Sequence, residues 1–409
     1  MSAQNDLAVA PQASAMPSKT VGLALFALAM GGFGIGTTEF ATMGILPQIA
    51  DGLQTSIPTA GHVIAAYALG VVVGAPLISA LTARLTRRTL LLILMAAFIV
   101  GNTASAFAPS IGTLILARFI SGLPHGAYFG VGSVVGSHLV GPGRKGRAVS
   151  LMMAGLTIAN IFGVPAATVM GQQFGWRSTF LVVGAIGLLT FLALWRWVPK
   201  ISALGGTSIR QELSAFRRPQ VWMTIITGAV GFGGMFAVYS YIAPMMTEVS
   251  GLPEAVLPLV LAIFGLGMTV GNLIGGRLTD RSVNAAMYTG FGSTAVVMAL
   301  FGLTAASPWA AIPLVFLIGV TAQILGPAVQ VRLIEASPEA PSLAASMSHS
   351  ALNIANAGGA WLGGLVIALG WGYLSPAWVA VILSVAGIGL FAIAASMQRR
   401  SAQPASAVQ

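Results

Sequence analysis

Apolar stretches long enough to form membrane-spanning helices recur twelve times along the chain, separated by short polar breaks. A helix needs roughly 20 apolar residues to cross the hydrocarbon core of a bilayer. On that ruler a first set of six spans runs near 20–46, 60–81, 89–108, 112–138, 148–172 and 178–198. A second set runs near 220–247, 255–278, 285–305, 309–332, 342–369 and 374–396. The pattern predicts an all-α integral membrane protein of twelve transmembrane helices. Residues 20–198 and 220–397 are expected to form two six-helix bundles, joined by a linker over 199–219. The polar ends, 1–19 and 398–409, read as tails, the first of them disordered. No basic stretch leads into a short apolar run with a cleavage site, so no cleaved signal peptide is expected.

The two sets of spans are related to each other. At an offset of 197 residues, Gly31, Gly34, Gly36 and Pro47 fall on Gly228, Gly231, Gly233 and Pro244. Gly70 and Gly74 fall on Gly267 and Gly271, and Leu81, Thr82 and Arg84 on Leu278, Thr279 and Arg281. Glycine matches carry little weight in a chain with 51 glycines; proline and arginine at the same offset carry more. Six spans per half bring both halves into the membrane from the same side, so the repeats are parallel. Parallel six-span halves with a site between them are an architecture of alternating-access transporters.

Composition agrees with a membrane protein and narrows the chemistry. Hydrophobic residues make up 56% of the chain and charged residues 7%, against roughly 25% charged in soluble proteins. So little charge does not cover a water-facing surface, and abundant glycine suits closely packed membrane helices. Cysteine is absent, which excludes disulfides and thiolate metal sites. The formal net charge is +10, yet its placement describes a topology and not a nucleic-acid footprint. All Lys and Arg except Arg118 and Arg177 fall on one side, in the tails, the linker and the loops after spans 2, 4, 8 and 10. The positive-inside rule assigns that side, with both termini, to the cytoplasm. His62, His125, His138 and His349 lack metal-ligand spacing, no Walker A run is present to bind ATP, and no paired nucleophile and base stands out. Neither an enzyme nor a bound metal or cofactor is expected.

Two loops carry family-specific residues. The loop after span 8 has Gly276, Asp280 and Arg281; the end of span 2 and the loop after it read SALTARLTRR, with Ser79, Ala83, Arg84, Thr86, Arg87 and Arg88. Together with Arg118 and Gly122 in span 4, these residues resemble the signature motifs of the major facilitator superfamily, over about 20–397. More narrowly, GTTEFATMGILP, RFISGLPHGAYFGVGSVV, IANIFGVPAAT and GWRSTF are similar to the bacterial twelve-span drug:proton antiporter branch. Within it they resemble the arabinose-type sugar efflux and chloramphenicol-resistance-like permeases.

The resemblance implies the major facilitator fold, as a monomer in the bacterial inner membrane. It implies efflux driven by the proton gradient with no other cofactor; the substrate does not follow from it, and the few charges expected in the cavity favour a small neutral or amphipathic molecule, a sugar or a drug. It also implies a conformational latch formed by Arg84, Arg87, Arg88, Asp280 and Arg281. The first loop departs from the family pattern, with Ala83 where an Asp is usual. In span 5, Val164 separates Gly163 from Pro165, where the antiporter motif has Gly directly before Pro. An uncoupled facilitator or importer, and a non-transporting receptor, stay open as alternatives.

The candidate chemistry centres on Glu39, an acid inside the first span. At 1.5 Å per residue it lies roughly 10 Å short of the outer end of that span, and Arg118 lies roughly 9 Å in from the same side in span 4. Opposite charges at equal depth form a candidate pair, since intramembrane charges usually pair and face the bundle interior or water. At the offset of 197, Glu39 falls on Phe236, Arg118 on Val315 and His125 on Ala322. The scaffold repeats while the ionisable set does not. Glu39 is thereby a candidate proton-coupling carboxylate, with Arg118 modulating its affinity for protons; a static structural ion pair is the alternative. His125 shares a face of span 4 with Arg118, Gly122 and Phe129, and either relays protons or forms a structural hydrogen bond. His349, Asn353 and Asn356 lie on one polar stripe of span 11 with Ser346, facing either the substrate path or span 10. Tyr239 in span 7 is a further candidate for the substrate path or for anchoring at the interface.

Overall fold

The computed structural model describes residues 18–82, 85–141, 145–201, 218–337 and 341–402, and among these the regular elements are helices. The first half contains α1 (Ser18–Gly44), α2 (Ile57–Leu81), α3 (Arg87–Ala106), α4 (Ile111–Val140) and α6 (Trp176–Trp197). Between the last two runs α5, built from Lys145–Ile158, a π-helical turn at Ala159–Gly163, and Val164–Phe174. The second half contains α7 (Pro219–Tyr239), α8 (Leu257–Arg281), α9 (Val283–Thr304), α11 (Pro341–Ala368) and α12 (Ser375–Ala402), with α10 in two pieces, Pro308–Gln323 and Leu325–Ala336. Eleven of these are long and apolar enough to cross a membrane. The twelfth, α4, has 30 residues, ample length at 1.5 Å per residue, but it carries Arg118, His125 and several hydroxyls. Twelve crossings bring both ends of the chain to one face, the terminal face; the opposite one is the far face. Most of the expected tails, most of the linker and Arg84 fall outside the described residues, while α12 continues past the expected boundary at 397 to Ala402.

Where the helices deviate from simple spans, proline is the cause. Proline has no N–H to give to the carbonyl four residues back. Pro47 follows a break at Ile45, after which the chain resumes as a short helix, Leu46–Gly52. The equivalent Pro244 follows a break after Tyr239, so the span expected to reach 247 continues as Ile242–Pro244 and a π-helical turn, Met245–Val249. Pro165 stands just beyond the π-helical turn of α5, and Pro327 just beyond the interruption of α10 at Ile324. Serine and threonine caps set several of the starts, with Ser56, Thr86, Ser110 and Ser282 accepting from backbone N–H groups of α2, α3, α4 and α9.

Glycine brings pairs of helices into backbone contact. A Cβ placed on Gly70, Gly74 or Gly122 would lie 2.1, 2.0 and 2.1 Å from the carbonyl oxygens of Phe119, Leu123 and Tyr67, so α2 and α4 touch main chain to main chain. In the second half, a Cβ placed on Gly267, Gly271 or Gly319 would lie 2.3, 2.2 and 2.5 Å from the oxygens of Phe316, Val320 and Phe264, so α8 and α10 touch in the same way. Each glycine and each carbonyl partner repeats at the same offset of 197. The relation seen in sequence across the first two spans of each half thus extends to the fourth, and it is a relation between contacts.

The apolar core is unevenly divided. One cluster runs continuously from Phe40, Met43, Leu46 and Val63 in the first half to Met245, Leu261, Phe264 and Phe291 in the second. Another, with Leu25, Leu28, Leu91, Leu94 and Met152, holds the part of the first half nearer the terminal face and stays within it. The halves meet where α2 packs along α11 and α5 along α8. Polar contacts reinforce this seam at the far face, where Gln48 Nε2 donates to Glu254 Oε2 at 3.3 Å and Gln172 Nε2 to the Glu254 carbonyl at 2.9 Å. The far face is closed.

The backbone contacts reverse the usual effect of alanine. Replacing glycine by alanine inside a helix ordinarily stabilises by about 0.5–1 kcal/mol. Gly122→Ala is expected instead to destabilise by about 1–3 kcal/mol through overpacking. Gly292→Ala, whose Cβ meets nothing within 4 Å, should leave the melting temperature in detergent unchanged or raised. Thermal unfolding of both variants checks the difference, and an unchanged Tm for Gly122→Ala would contradict the contact.

Candidate functional site

Three consecutive side chains of α1, Thr37, Thr38 and Glu39, are buried in the middle of the protein. Thr38 anchors a polar network within the first half. Its hydroxyl donates to Asn102 Oδ1 on α3 at 2.6 Å and accepts from Arg118 Nη1 at 2.8 Å. The Thr38 carbonyl accepts from Arg118 Nη2 at 2.9 Å. The Arg118 guanidinium is fully buried and lies 4.3 Å above the centre of the Tyr67 ring, with Phe180 at 5.2 Å. A buried cation over an aromatic face gains on the order of 2 kcal/mol, which helps offset its removal from water. The Tyr67 hydroxyl sits 3.2 Å from His125 Nδ1.

Glu39 does not join this network through a direct ion pair. Its Oε1 accepts from Asn356 Nδ2 on α11 at 3.3 Å, a hydrogen bond that crosses from the first half to the second. The sequence suggested a Glu39–Arg118 pair; the structure gives Arg118 to Thr38 and Tyr67 instead. Arg118 remains close enough to Glu39 for the two charges to act on each other through space. Asn356 is 1% exposed, and its Oδ1 has no hydrogen-bond partner.

The remaining candidates divide between this seam and other places. His349 lies with its ring parallel to Phe129 at 5.5 Å and 6.4 Å from His125, so α4 and α11 meet through three rings. Asn353 donates to the His349 carbonyl at 3.0 Å and keeps a buried, unpartnered Oδ1. Tyr239 stacks on Phe264 at 3.8 Å and meets the edge of Phe40 at 5.9 Å, an aromatic closure between α1, α7 and α8. The family-motif residues lie apart from the centre. Arg88 donates to the Trp195 carbonyl within the first half, and the Nε of Arg87 is buried without a partner. Asp280 and Arg281 are exposed at the end of α8. Among the described residues no three His, Cys, Asp or Glu side chains come together as a metal site. A cavity of 260 Å³ lined by Arg218, Gln220, Thr224, Arg332 and Glu335 belongs to the terminal face of the second half, away from Glu39.

Sequence reasoning passed over Thr38, Tyr67 and Asn102. The signal that singled out Glu39 reaches them as well. At the offset of 197 they fall on Met235, Phe264 and Ala299, so each is a polar residue whose counterpart in the second half is apolar.

Comparisons with known proteins agree on the kind of molecule. A family model described as Major Facilitator Superfamily matches residues 28–345. The chain is 40% identical over 376 residues to the inner membrane transport protein YdhP of Escherichia coli (strain K12), covering 92% of this chain and 96% of that protein. It is 30% identical over 365 residues to a chloramphenicol resistance protein of Streptomyces lividans, covering 88% of this chain and 93% of that one. The crystal structure of a D-xylose-proton symporter superposes with a TM-score of 0.73 at 17% identity, over 91% of this chain and 97% of its own.

Thr38 has a testable share in this geometry. Thr38→Val keeps the shape but leaves Arg118 Nη1 and Asn102 Oδ1 without their partner, and is expected to cost about 1–3 kcal/mol of stability. Thr42→Val removes only a hydroxyl that bonds back to the Thr38 carbonyl at 3.1 Å and should cost well under half as much. Thermal unfolding monitored by tryptophan fluorescence compares the two, and equal losses would count against the network.

Proposed function

The chain belongs to the major facilitator superfamily, and we propose that it exports a small neutral or amphipathic molecule, a sugar or a drug, in exchange for protons. The observation that carries this reading is Glu39, an acid buried at the seam between the halves and hydrogen-bonded across it to Asn356. A carboxyl group there changes charge on binding a proton, and that charge bears on the contact between the bundles. The name of the chloramphenicol-resistance relative supports export of a drug-like molecule, and the sparse charge along the seam suits a neutral cargo. The basic loops support a cytoplasmic terminal face, and the name of the Escherichia coli relative supports the bacterial inner membrane.

In this reading the protein cycles as a monomer between two arrangements of its bundles. With the far face open, Glu39 takes a proton from outside. With the far face closed, it releases the proton to the cytoplasm, and the cargo then binds from that side. Arg118 lowers the cost of a charged Glu39 from a distance while staying fixed to Thr38 and Tyr67. His125, bonded to Tyr67, is placed to pass protons toward His349. Phe129, His349 and Asn353 offer flat rings and an amide to the cargo, and Tyr239 shuts its path to the far face. Asp280 and Arg281, with the arginines that follow α2, serve as the latch that closes the terminal face in the other half of the cycle.

Glu39→Gln is neutral at every pH and keeps nearly the same shape. In everted membrane vesicles it is expected to abolish proton-driven transport, and with it any collapse of the proton gradient on adding cargo. Exchange of labelled for unlabelled cargo, which needs no proton movement, should persist within about twofold of the original protein. Proton-driven accumulation by Glu39→Gln at the original rate would overturn the role given to Glu39.

A further inference from the structure

We infer that Asn356 is the residue that keeps the far face closed after Glu39 has lost its proton, and so stops the empty carrier from slipping back uncoupled. The inference rests on the proton-coupling role of Glu39 and adds a partner to it. Its basis is the hydrogen bond from Asn356 Nδ2 to Glu39 Oε1 at 3.3 Å, which joins α1 of one half to α11 of the other. A second observation is the Asn356 Oδ1, buried beside the same carboxyl group with no partner of its own.

A carboxamide offers a donor and an acceptor side by side. A protonated Glu39 has an O–H to give to the free Oδ1 while still accepting from Nδ2. When that O–H bond breaks and the proton passes to water on the terminal side, the carboxylate accepts only. It keeps the N–H of Asn356, now as a charge-assisted bond. The same side chain therefore serves both charge states, and the contact between the halves survives the loss of the proton. Without it a charged Glu39 at this seam would lack a direct hydrogen bond from the second half, and a buried charge that loses its partner favours the arrangement that lets water in.

The groups around Glu39 do not replace this partner. From α4, Arg118 commits both Nη atoms to Thr38 and makes no hydrogen bond from its buried Nε, and His125 is bonded to Tyr67 of α2. From α5, Asn160 donates to the Leu156 carbonyl of its own helix. On α11, His349 faces Phe129, and on α7, Tyr239 is stacked on Phe264. In the second half the position equivalent to Glu39 holds Phe236, which stacks near Phe40 with ring centres 6.4 Å apart, so no second carboxylate shares the load.

The chain has no cysteine, so spin labels on Asp51→Cys and Ala255→Cys, both exposed at the far face, measure opening without background. In this labelled protein without cargo, the short distance should dominate in acidic and alkaline buffer alike. Asn356→Leu should keep it in acid but shift the closed-to-open ratio about tenfold or more toward open in alkaline buffer, the loss expected for a hydrogen bond to a charged group. Adding Glu39→Gln to Asn356→Leu should restore closure at alkaline pH, because no charge is then left to expose. Asn356→Ala gives the same reading should the leucine variant fail to fold. Closure of Asn356→Leu in alkaline buffer equal to the original would overturn the inference. Opening that persists in the Glu39→Gln background would also overturn it, by assigning Asn356 a packing role alone. Proton-driven transport by Glu39→Gln, measured separately in vesicles, would instead remove the coupling role on which the inference rests.

Discussion

A guanidinium held in the middle of a membrane protein must find its hydrogen bonds within the protein, and Arg118 finds two, through its Nη atoms, on one turn of α1, while its Nε stays without a partner. It takes both the hydroxyl and the carbonyl of Thr38 and lies against the Tyr67 ring. Successive residues of an α-helix point about 100° apart at 3.6 residues per turn. Once Thr38 is turned toward α4, the next residue, Glu39, is carried round the helix toward the other half of the molecule. The position of the acid at the seam, and its bond to Asn356, follow from where the cation is satisfied. Intramembrane charges are costly enough to dictate the arrangement of their neighbours, and here one charge is fixed inside a bundle while the other is left between bundles.

The repeat makes that division visible. The glycines of α2 and α4 and those of α8 and α10 meet equivalent carbonyls at the same offset, so these two helix pairs approach each other in the same way. The side chains filling the frame differ in kind. Thr38, Glu39, Tyr67, Asn102 and Arg118 occupy positions held in the other half by Met235, Phe236, Phe264, Ala299 and Val315. Where the first half has a cation over a tyrosine, the second has Phe264 stacked on Tyr239. One half holds the buried acid and the buried cation, and the other sets apolar surface and neutral amides against them.

The fold was legible in the sequence because its two strongest signals, span length and spacing of glycine, are properties of the main chain. Twelve apolar runs gave twelve long helices, and the glycines that matched in sequence proved to be points of backbone contact. Boundaries were less legible at Pro47, Pro165, Pro244 and Pro327, where a missing N–H interrupts a helix without interrupting its apolar run. For the site, sequence depth brought Glu39 and Arg118 to the same level but did not show which way each side chain turned. Thr38 decided that, and a threonine in an apolar span looks like any other until its partner is known. Asn356 belonged to a polar stripe on its helix whose direction the pattern left open, and a contact between residues 317 apart in the chain leaves no trace in local pattern. Tyr67 and Asn102 were within reach, since asking where a polar residue has an apolar counterpart in the other half finds both.

Backbone contact has a mechanical consequence. Side chains at an interface accommodate movement by changing rotamer, but two main chains touching through glycine have nothing to rearrange. The α2–α4 and α8–α10 pairs are therefore incompressible struts, each obliged to travel as one piece. Between the halves the same device recurs at one joint, where a Cβ on Gly265 of α8 would lie 2.4 Å from the Asn160 oxygen of α5, so deformation falls on the remaining joints, such as α2 along α11. A protein assembled in this way behaves as a small linkage, stiff in its members and compliant only where one member bears on the next.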